Sequence, residues 1–263
     1  MVDEATADGL EVTLDSYPYL AGATYLHALL PAWVQEGGTK AALARLRDTD
    51  LRERIRAEIE DTGHPAYHDV PTDWDTVVVS GVRDPGNQRL VGRTIADVAR
   101  EEERRPIDVY CDALVADELG ASCAHHIGNE ENVRAIMAHP AHTGGSDGIL
   151  VGERPHPRGW GTFPRYLGTY VRDLGVLRLE EAIRKFTLVP SRVLGFRDRG
   201  LVQPGMVADL VVFDPDTVGD VATYDDPCRP PEGIPHVLVN GVEVIRDGQH
   251  TGARPGRALR RPA

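Results

Sequence analysis

The sequence predicts an α/β chain in two parts: residues 1–199 with the texture of a (β/α) barrel, then an all-β piece over residues 200–263. Three observations predict it. Strand-like apolar runs alternate with helix-period segments through the first part. Polar residues with chemical uses stand just past several of those runs. Near Arg199 the texture changes to short strands with Gly and Asn-Gly turns.

The elements follow in order. "LEVTLDSYPYL", Leu10 to Leu20, alternates Val12, Leu14 and Ser16 against Thr13 and Asp15 and stops at Pro18, which predicts a buried strand running into a loop. "HALLPAWVQEGGTKAALARLRDTDLRERIRAEIED" has apolar residues at helical spacing, divided by Gly37-Gly38, and predicts two helices. "DTVVVSGV" is a second strand. "TIADVAREEERRPIDVYCDALVADELG" is two helices split at Pro106, which blocks continuation. "ASCAHHIG" is a short strand, "NEENVRAIMAHP" a helix capped by Asn129 with acids in its first turn, and "HTGGSDG" another strand end. "TFPRYLGTYVRDLG" and "RLEEAIRKFTLVPSRVLG" read as helical. "GLVQPGMVADLVVFDPDTV" and "IPHVLVNGVEVIRDGQHTG" read as strand pairs, the second turning at Asn240-Gly241.

Composition bounds the partners. With 263 residues and 41% hydrophobic content the chain can bury a sizeable core. A net charge of −12 argues against nucleic acid or an anionic membrane as partner, since both need a basic footprint; the basic tail "RPGRALRRPA" reads as a frayed terminus. Cys111, Cys123 and Cys228 form no CxxC and no even-numbered framework, so reduced thiols in a cytoplasmic protein are expected. The start "MVDEATADGLEVTLD" has neither a basic nor an apolar leader region, and no run reaches the length of a membrane span.

Tyr17 and Tyr19, His125 and His126, and Asp147 all stand at predicted strand ends, where barrel enzymes carry their chemistry. Each also has an ordinary reading. A Tyr after a strand packs with its hydroxyl wet, His-His before Gly is a polar loop, and Ser-Asp-Gly is good turn chemistry. Their coincidence points to one functional face. His139 and His142, or His64 and His68, are the local histidine pairs, but each brackets a proline and has poor spacing for a metal.

The strings "DSYPYLAGAT", "LLPAWVQEGG", "HHIGNEENVRAIMAHP", "GGSDG", "PHPRGWGTFPRYLGTYVRD", "EEAIRKFTLVPSRVLGFRDRGLVQPGMVADLVVFDP" and "VLVNGVEVIRDGQHTGARPGRALRR" resemble, in order, the C-terminal portion of the N-acyl-D-amino-acid deacylases (D-aminoacylases) of the amidohydrolase superfamily. The resemblance implies the last strands of a (β/α)8 amidohydrolase barrel with a helical insertion, followed by β-sandwich strands. It implies hydrolysis of the amide of a small N-acyl-D-amino acid by metal-activated water. Asp147 would be the proton-transferring acid and a weak or shared metal ligand. Arg158 would hold the substrate's α-carboxylate, for which a planar two-pronged fork is apt. Tyr19 would assist it, with Tyr17 one register away.

The family's zinc is expected as cofactor, yet its other ligands, a His-x-His among them, have no counterpart in this sequence. The chain alone is therefore not expected to hold zinc stably. A catalytic fragment completed by an N-terminal half or by a homo-oligomer is the leading expectation, with Met1 as an internal start or gene break. The alternatives are another amidohydrolase reaction, such as cyclic-amide hydrolysis or deamination, and a non-catalytic assembly module in which Asp147 and Arg158 form a structural ion pair.

Overall fold

The computed structural model describes residues 1–64 and 69–261. After helix α1 (Val2–Ala7), strand β1 (Leu14–Ser16) leads through the Tyr17–Tyr19 corner into β2 (Gly22–Tyr25). Helices α2 (Ala32–Gln35), α3 (Thr39–Arg47) and α4 (Thr49–Arg56) follow, and a π-helical stretch, Ala57–Thr62, continues α4. Asp48 caps α4 by accepting from the Asp50 and Leu51 amides. Then come β3 (Val77–Gly81), α5 (Ile95–Glu101), α6 (Pro106–Ala116), β4 (Ser122–His125), α7 (Glu130–Ala138) and β5 (His142–Gly144). Pro106 opens α6, where its missing N–H costs nothing, and Asn129 caps α7 through the Asn132 amide. Helix α8 (Arg158–Arg165) runs into a π-helical stretch, Tyr166–Asp173, before α9 (Leu179–Phe186) and α10 (Leu188–Val193). The chain ends in β6 (Leu210–Val212), β7 (His236–Val239), β8 (Val242–Arg246) and β9 (Gln249–His250).

Three sheets organise these strands. β1 and β5 pair in parallel, with Leu14 opposite His142, Asp15 opposite Thr143 and Ser16 opposite Gly144. β2, β4 and β3 form an antiparallel sheet in that order. β6 to β9 form a four-stranded antiparallel meander whose Val211, Val212 and Val242 are about half exposed. The Asn240-Gly241 turn has both residues at positive φ (49° and 76°), the primed geometry that matches strand twist.

Among the described residues most of the buried apolar side chains fall into two clusters with no residue in common. One gathers Leu26, Leu46, Ile55, Val79, Ile107 and Leu114 from the stretch between β2 and β4. The other, around Met137, Tyr166, Leu167, Tyr170 and Ala182, lies where α7, α9 and the Tyr166–Asp173 stretch cover β1 and β5. Among the described residues no helix is long and apolar enough to cross a membrane.

Several expected elements are shorter than the pattern suggests. The strand expected over Leu10–Leu20 is Leu14–Ser16 alone: among the described residues β5 is its one partner, Leu10 is largely exposed, and Pro18 has no N–H to donate. The first C-terminal strand pair reduces to Leu210–Val212, because Leu201–Met206 is turn and bend around Pro204. The helix expected after Gly38 breaks between Arg47 and Thr49, where Asp48 serves as cap. His68 lies outside the described residues.

Candidate functional site

Because β1 and β5 run in the same direction, the residues that leave their C-terminal ends emerge side by side. The Gly145 amide donates to the Ser16 carbonyl (2.9 Å), extending the pairing one step further. Small residues are required here. A Cβ on Gly144 would come within 2.5 Å of the Phe186 ring, and one on Gly145 within 2.8 Å of an Asp15 carboxylate oxygen. Asp147 follows at φ 45°, in the left-handed region that Asp tolerates better than most side chains. Its side chain is 63% exposed.

Arg158, first residue of α8, has a fully buried side chain. Its guanidinium lies 4.5 Å over the Tyr17 ring, and Nη2 is 2.8 Å from Asp147 Oδ2. That contact is electrostatic: among the described residues, none of the three guanidinium nitrogens has a partner in hydrogen-bonding alignment. A buried cation so poorly satisfied is uncommon, since buried polar groups are nearly always bonded.

His156, which the sequence reading passed over, is the hub of this region. Nδ1 accepts from the Arg158 amide (3.0 Å) and Nε2 donates to the Ala21 carbonyl (2.9 Å), which fixes one neutral tautomer. The ring meets Tyr17, Tyr19 and Tyr224 edge-on at 6.1, 5.1 and 5.1 Å. Burial pushes its pKa down to about 4, and the Arg158 charge adds to that. The one sequence signal was its place between two prolines in "RPHPRG", which holds the backbone extended.

Tyr17 and Tyr19 have separate surroundings. Tyr17 supplies the face beneath Arg158. Tyr19 is buried, donates to Asp220 Oδ2 (3.4 Å) and lies beneath the Arg165 guanidinium, which also donates to the Pro18 carbonyl. Burial and the Asp220 charge hold the Tyr19 hydroxyl well above the usual phenol range.

His125 and His126 do not end a parallel strand beside Asp147. His125 closes β4 of the antiparallel sheet, buried against Thr76 Oγ1 (3.0 Å), and His126 follows it. The cause is local: the chain turns back into β2 directly after Tyr19, and β2 and β3 flank β4. His126 reaches the cluster only indirectly, packing on Tyr224 at 4.7 Å.

His139 and His142 serve different surroundings. His139 bonds Asp3 and the Ala141 amide at the surface, whereas His142 is buried against Ser16 Oγ (2.9 Å). Burial, with the Lys185 charge, pushes His142 down to about 4. Among the described residues no group of three His, Cys, Asp or Glu is placed to hold a metal ion. Cys111 and Cys123 are buried and free, with thiols pushed up to about 12 by burial, and Cys228 is free and exposed.

Comparison with known proteins gives this geometry a context. Residues 2–245 match the amidohydrolase family. The chain is 36% identical over its whole length to N-acyl-D-glutamate deacylase of Alcaligenes xylosoxydans xylosoxydans, covering 44% of that protein. It is 43% identical over 174 residues to D-aminoacylase of the same organism, 66% of this chain and 35% of that one. Among solved structures, N-acyl-D-glutamate deacylase from Bordetella bronchiseptica, complexed with zinc and a phosphonate inhibitor that mimics the tetrahedral intermediate, superposes with a TM-score of 0.74. The identity is 34%, over 98% of this chain and 44% of that one. A crystal structure of D-aminoacylase gives 0.73 and 34%, over 99% and 45%. The chain thus spans less than half the length of the relatives it matches. The match over residues 2–245 and the agreement in sequence and mixed α/β fold with these deacylases establish that the chain belongs to the amidohydrolase family.

Proposed function

We propose that this chain carries the carboxylate-binding and proton-transferring part of an N-acyl-D-amino-acid deacylase, with residues 1–199 contributing barrel strands β1 and β5 and residues 200–263 contributing strands of a β-sandwich. One observation carries the reading: Arg158, a fully buried guanidinium with no aligned acceptor. A substrate α-carboxylate supplies what that fork lacks, two oxygens at the right separation. To reach it, the substrate displaces the exposed Asp147 carboxylate, and Asp147 is released beside the amide to be cut. Asp147 then takes a proton from the attacking water as its oxygen bonds to the acyl carbon, and delivers a proton to the amine nitrogen as the C–N bond breaks. Tyr17 holds the guanidinium from below. Tyr19 fixes the corner through Asp220 and Arg165.

Zinc is expected from the family, but among the described residues the donors do not assemble a site: a catalytic zinc takes three protein ligands, and Asp147 offers at most one. No step is drawn through a metal, whose remaining ligands would have to come from another segment or subunit. The three unpaired cysteines suit a reducing, cytoplasmic setting.

A second reading has the 2.8 Å Asp147–Arg158 contact in its favour: the pair simply braces the loop. Kinetics of a chimera completed with the N-terminal part of the Alcaligenes N-acyl-D-glutamate deacylase separate the two. Under the first reading, Arg158→Lys raises KM for N-acyl-D-amino acids more than for their carboxamides, by about tenfold to a hundredfold in kcat/KM, equivalent to ~1.5–3 kcal/mol. Asp147→Asn lowers kcat for acid and amide alike. Equal losses on acid and amide substrates in Arg158→Lys would establish the brace instead.

A further inference from the structure

The basic tail, expected to fray, is tied down instead. Thr251 Oγ1 donates to the Glu243 carbonyl (2.9 Å), and Asn240 Nδ2 donates to the Pro255 carbonyl (2.8 Å). Arg261 lies against Gly195, where a Cβ would come within 3.3 Å of its Nε. These ties bring residues 257–260 beside the segment Phe196–Arg199 that follows α10, and the two stretches line an open groove of about 520 Å³. Four arginines face it, Arg197 and Arg199 from one stretch and Arg257 and Arg260 from the other, and Asp198 is the one acid in the lining.

Elsewhere in this acidic chain arginines find carboxylates. Arg52, Arg56, Arg100, Arg104 and Arg105 each pair with one or more. In the groove only Arg199 does so: Asp198 (3.1 Å) and Asp209 (2.5 Å) hold it, which leaves the one acid of the lining already engaged. Among the described residues Arg197, Arg257 and Arg260 have neither a hydrogen bond nor an ion pair from their side chains, and all three are exposed. With a net charge of −12 the chain has acids to spare, so three unneutralised cations gathered at one groove run against its composition. Like charges held together repel, and an anion seated among them removes that repulsion.

The chemistry of the groove narrows the anion. A guanidinium fork matches the oxygens of a carboxylate or a phosphate, but a phosphoryl group puts more negative charge into the same space. Several linked phosphoryl groups answer three cations in a volume of the size that small ligands occupy. A nucleic acid or an anionic membrane needs a broad basic face, which the net charge denies.

We propose that this groove binds a small soluble anion with two or more linked phosphoryl groups, held by Arg197, Arg257 and Arg260. Its lining shares no residue with the Asp147–Arg158 site, so this ligand is distinct from the N-acyl amino acid proposed above.

The test titrates the full 263-residue chain with inorganic tripolyphosphate by calorimetry and follows amide resonances by NMR. Shifts are expected at Phe196–Arg199 and Arg257–Arg260, and orthophosphate, which meets fewer guanidiniums, is expected to bind about tenfold more weakly. Affinity for tripolyphosphate should fall about fivefold or more between about 50 and 300 mM NaCl, because the cations are exposed. Arg257→Ala and Arg260→Ala should each weaken binding about fivefold or more, whereas Arg47→Ala, at an exposed arginine of α3 outside the groove, leaves it unchanged. The shifts in the unsubstituted chain locate the site should a variant not fold. The proposal is overturned if tripolyphosphate does not bind at about 50 mM NaCl, or if Arg47→Ala loses as much as Arg257→Ala. Shifts at Tyr17 and Asp147 in place of the groove would mean that the anion has found the Arg158 guanidinium, and would overturn it too. Citrate binding as tightly as tripolyphosphate would overturn the preference for phosphoryl groups.

Discussion

Replacing Arg158 with Met should make the protein more stable while removing the carboxylate grip proposed for it. Three buried guanidinium nitrogens lack an aligned partner. At about 1–3 kcal/mol for an unpaired buried polar group, they cost on the order of 3–9 kcal/mol together. Two contacts offset this. The Tyr17 ring beneath the cation contributes up to about 2 kcal/mol, and the ion pair with a largely solvated Asp147 contributes at most about 1 kcal/mol. The remainder, from nothing up to about 6 kcal/mol, is what an apolar side chain of similar length recovers, in line with the gain seen when buried ion pairs give way to hydrophobic residues. For a chain of this size each kcal/mol recovered raises Tm by roughly 2–4 °C. Urea denaturation and calorimetry of Arg158→Met measure it, with Asp147→Asn as companion, expected to lose less than about 1 kcal/mol. A loss of 1 kcal/mol or more in Arg158→Met would refute the reasoning, because it would mean that the guanidinium is structurally satisfied and not waiting for a ligand.

Other outcomes follow from the same structure. His142 and His156 sit near pH 4 in the folded protein, against an ordinary value near 6.5, so the unfolded chain binds their protons more readily. The stability they contribute is complete above about pH 6.5 and drains away as pH falls towards 4; urea midpoints at pH 7.5 and 5 should differ in that sense, less so in His142→Gln, and a midpoint that rises on acidification contradicts it. Leu46→Ala, at a fully buried position of the first apolar cluster, should cost about 2–5 kcal/mol in equilibrium unfolding. Gly241→Ala places a Cβ at φ 76° in the last hairpin and should lower stability by about 1 kcal/mol or somewhat more, read as a drop in Tm.

Much of the fold was legible because its signals are local. Asn129 and Pro106 mark helix starts by chemistry that acts within one turn, and Asn240-Gly241 marks a hairpin by backbone preference alone. Strand ends were less legible, since they depend on partners distant in sequence: β1 extends only as far as three residues of β5 pair with it. His125 and His126 show the same limit. A short apolar run before a polar pair looks alike in a parallel and an antiparallel sheet, and only the reversal after Tyr19 decides which is formed. At the candidate site, Asp147 and Arg158 could be named from the motif that contains them, but not the contact between them or the burial of the guanidinium. Nor could sequence spacing tell Tyr17 from Tyr19, whose neighbours, Arg158 in one case and Asp220 in the other, lie more than 140 residues away. His156 was the least visible, because its role consists of three long-range ring contacts and a carbonyl on the other side of the site.

The two apolar clusters share no residue, and this separates two properties that are usually tied together. The groups proposed for proton transfer and carboxylate binding leave strands and a helix that pack on the second cluster, whereas the antiparallel sheet facing the loop between them packs on the first. Loosening the segment between β2 and β4 is therefore expected to leave the packing beneath Asp147 and Arg158 in place. That segment can drift in sequence, or be exchanged for another of different length, while the groups proposed to react keep their places.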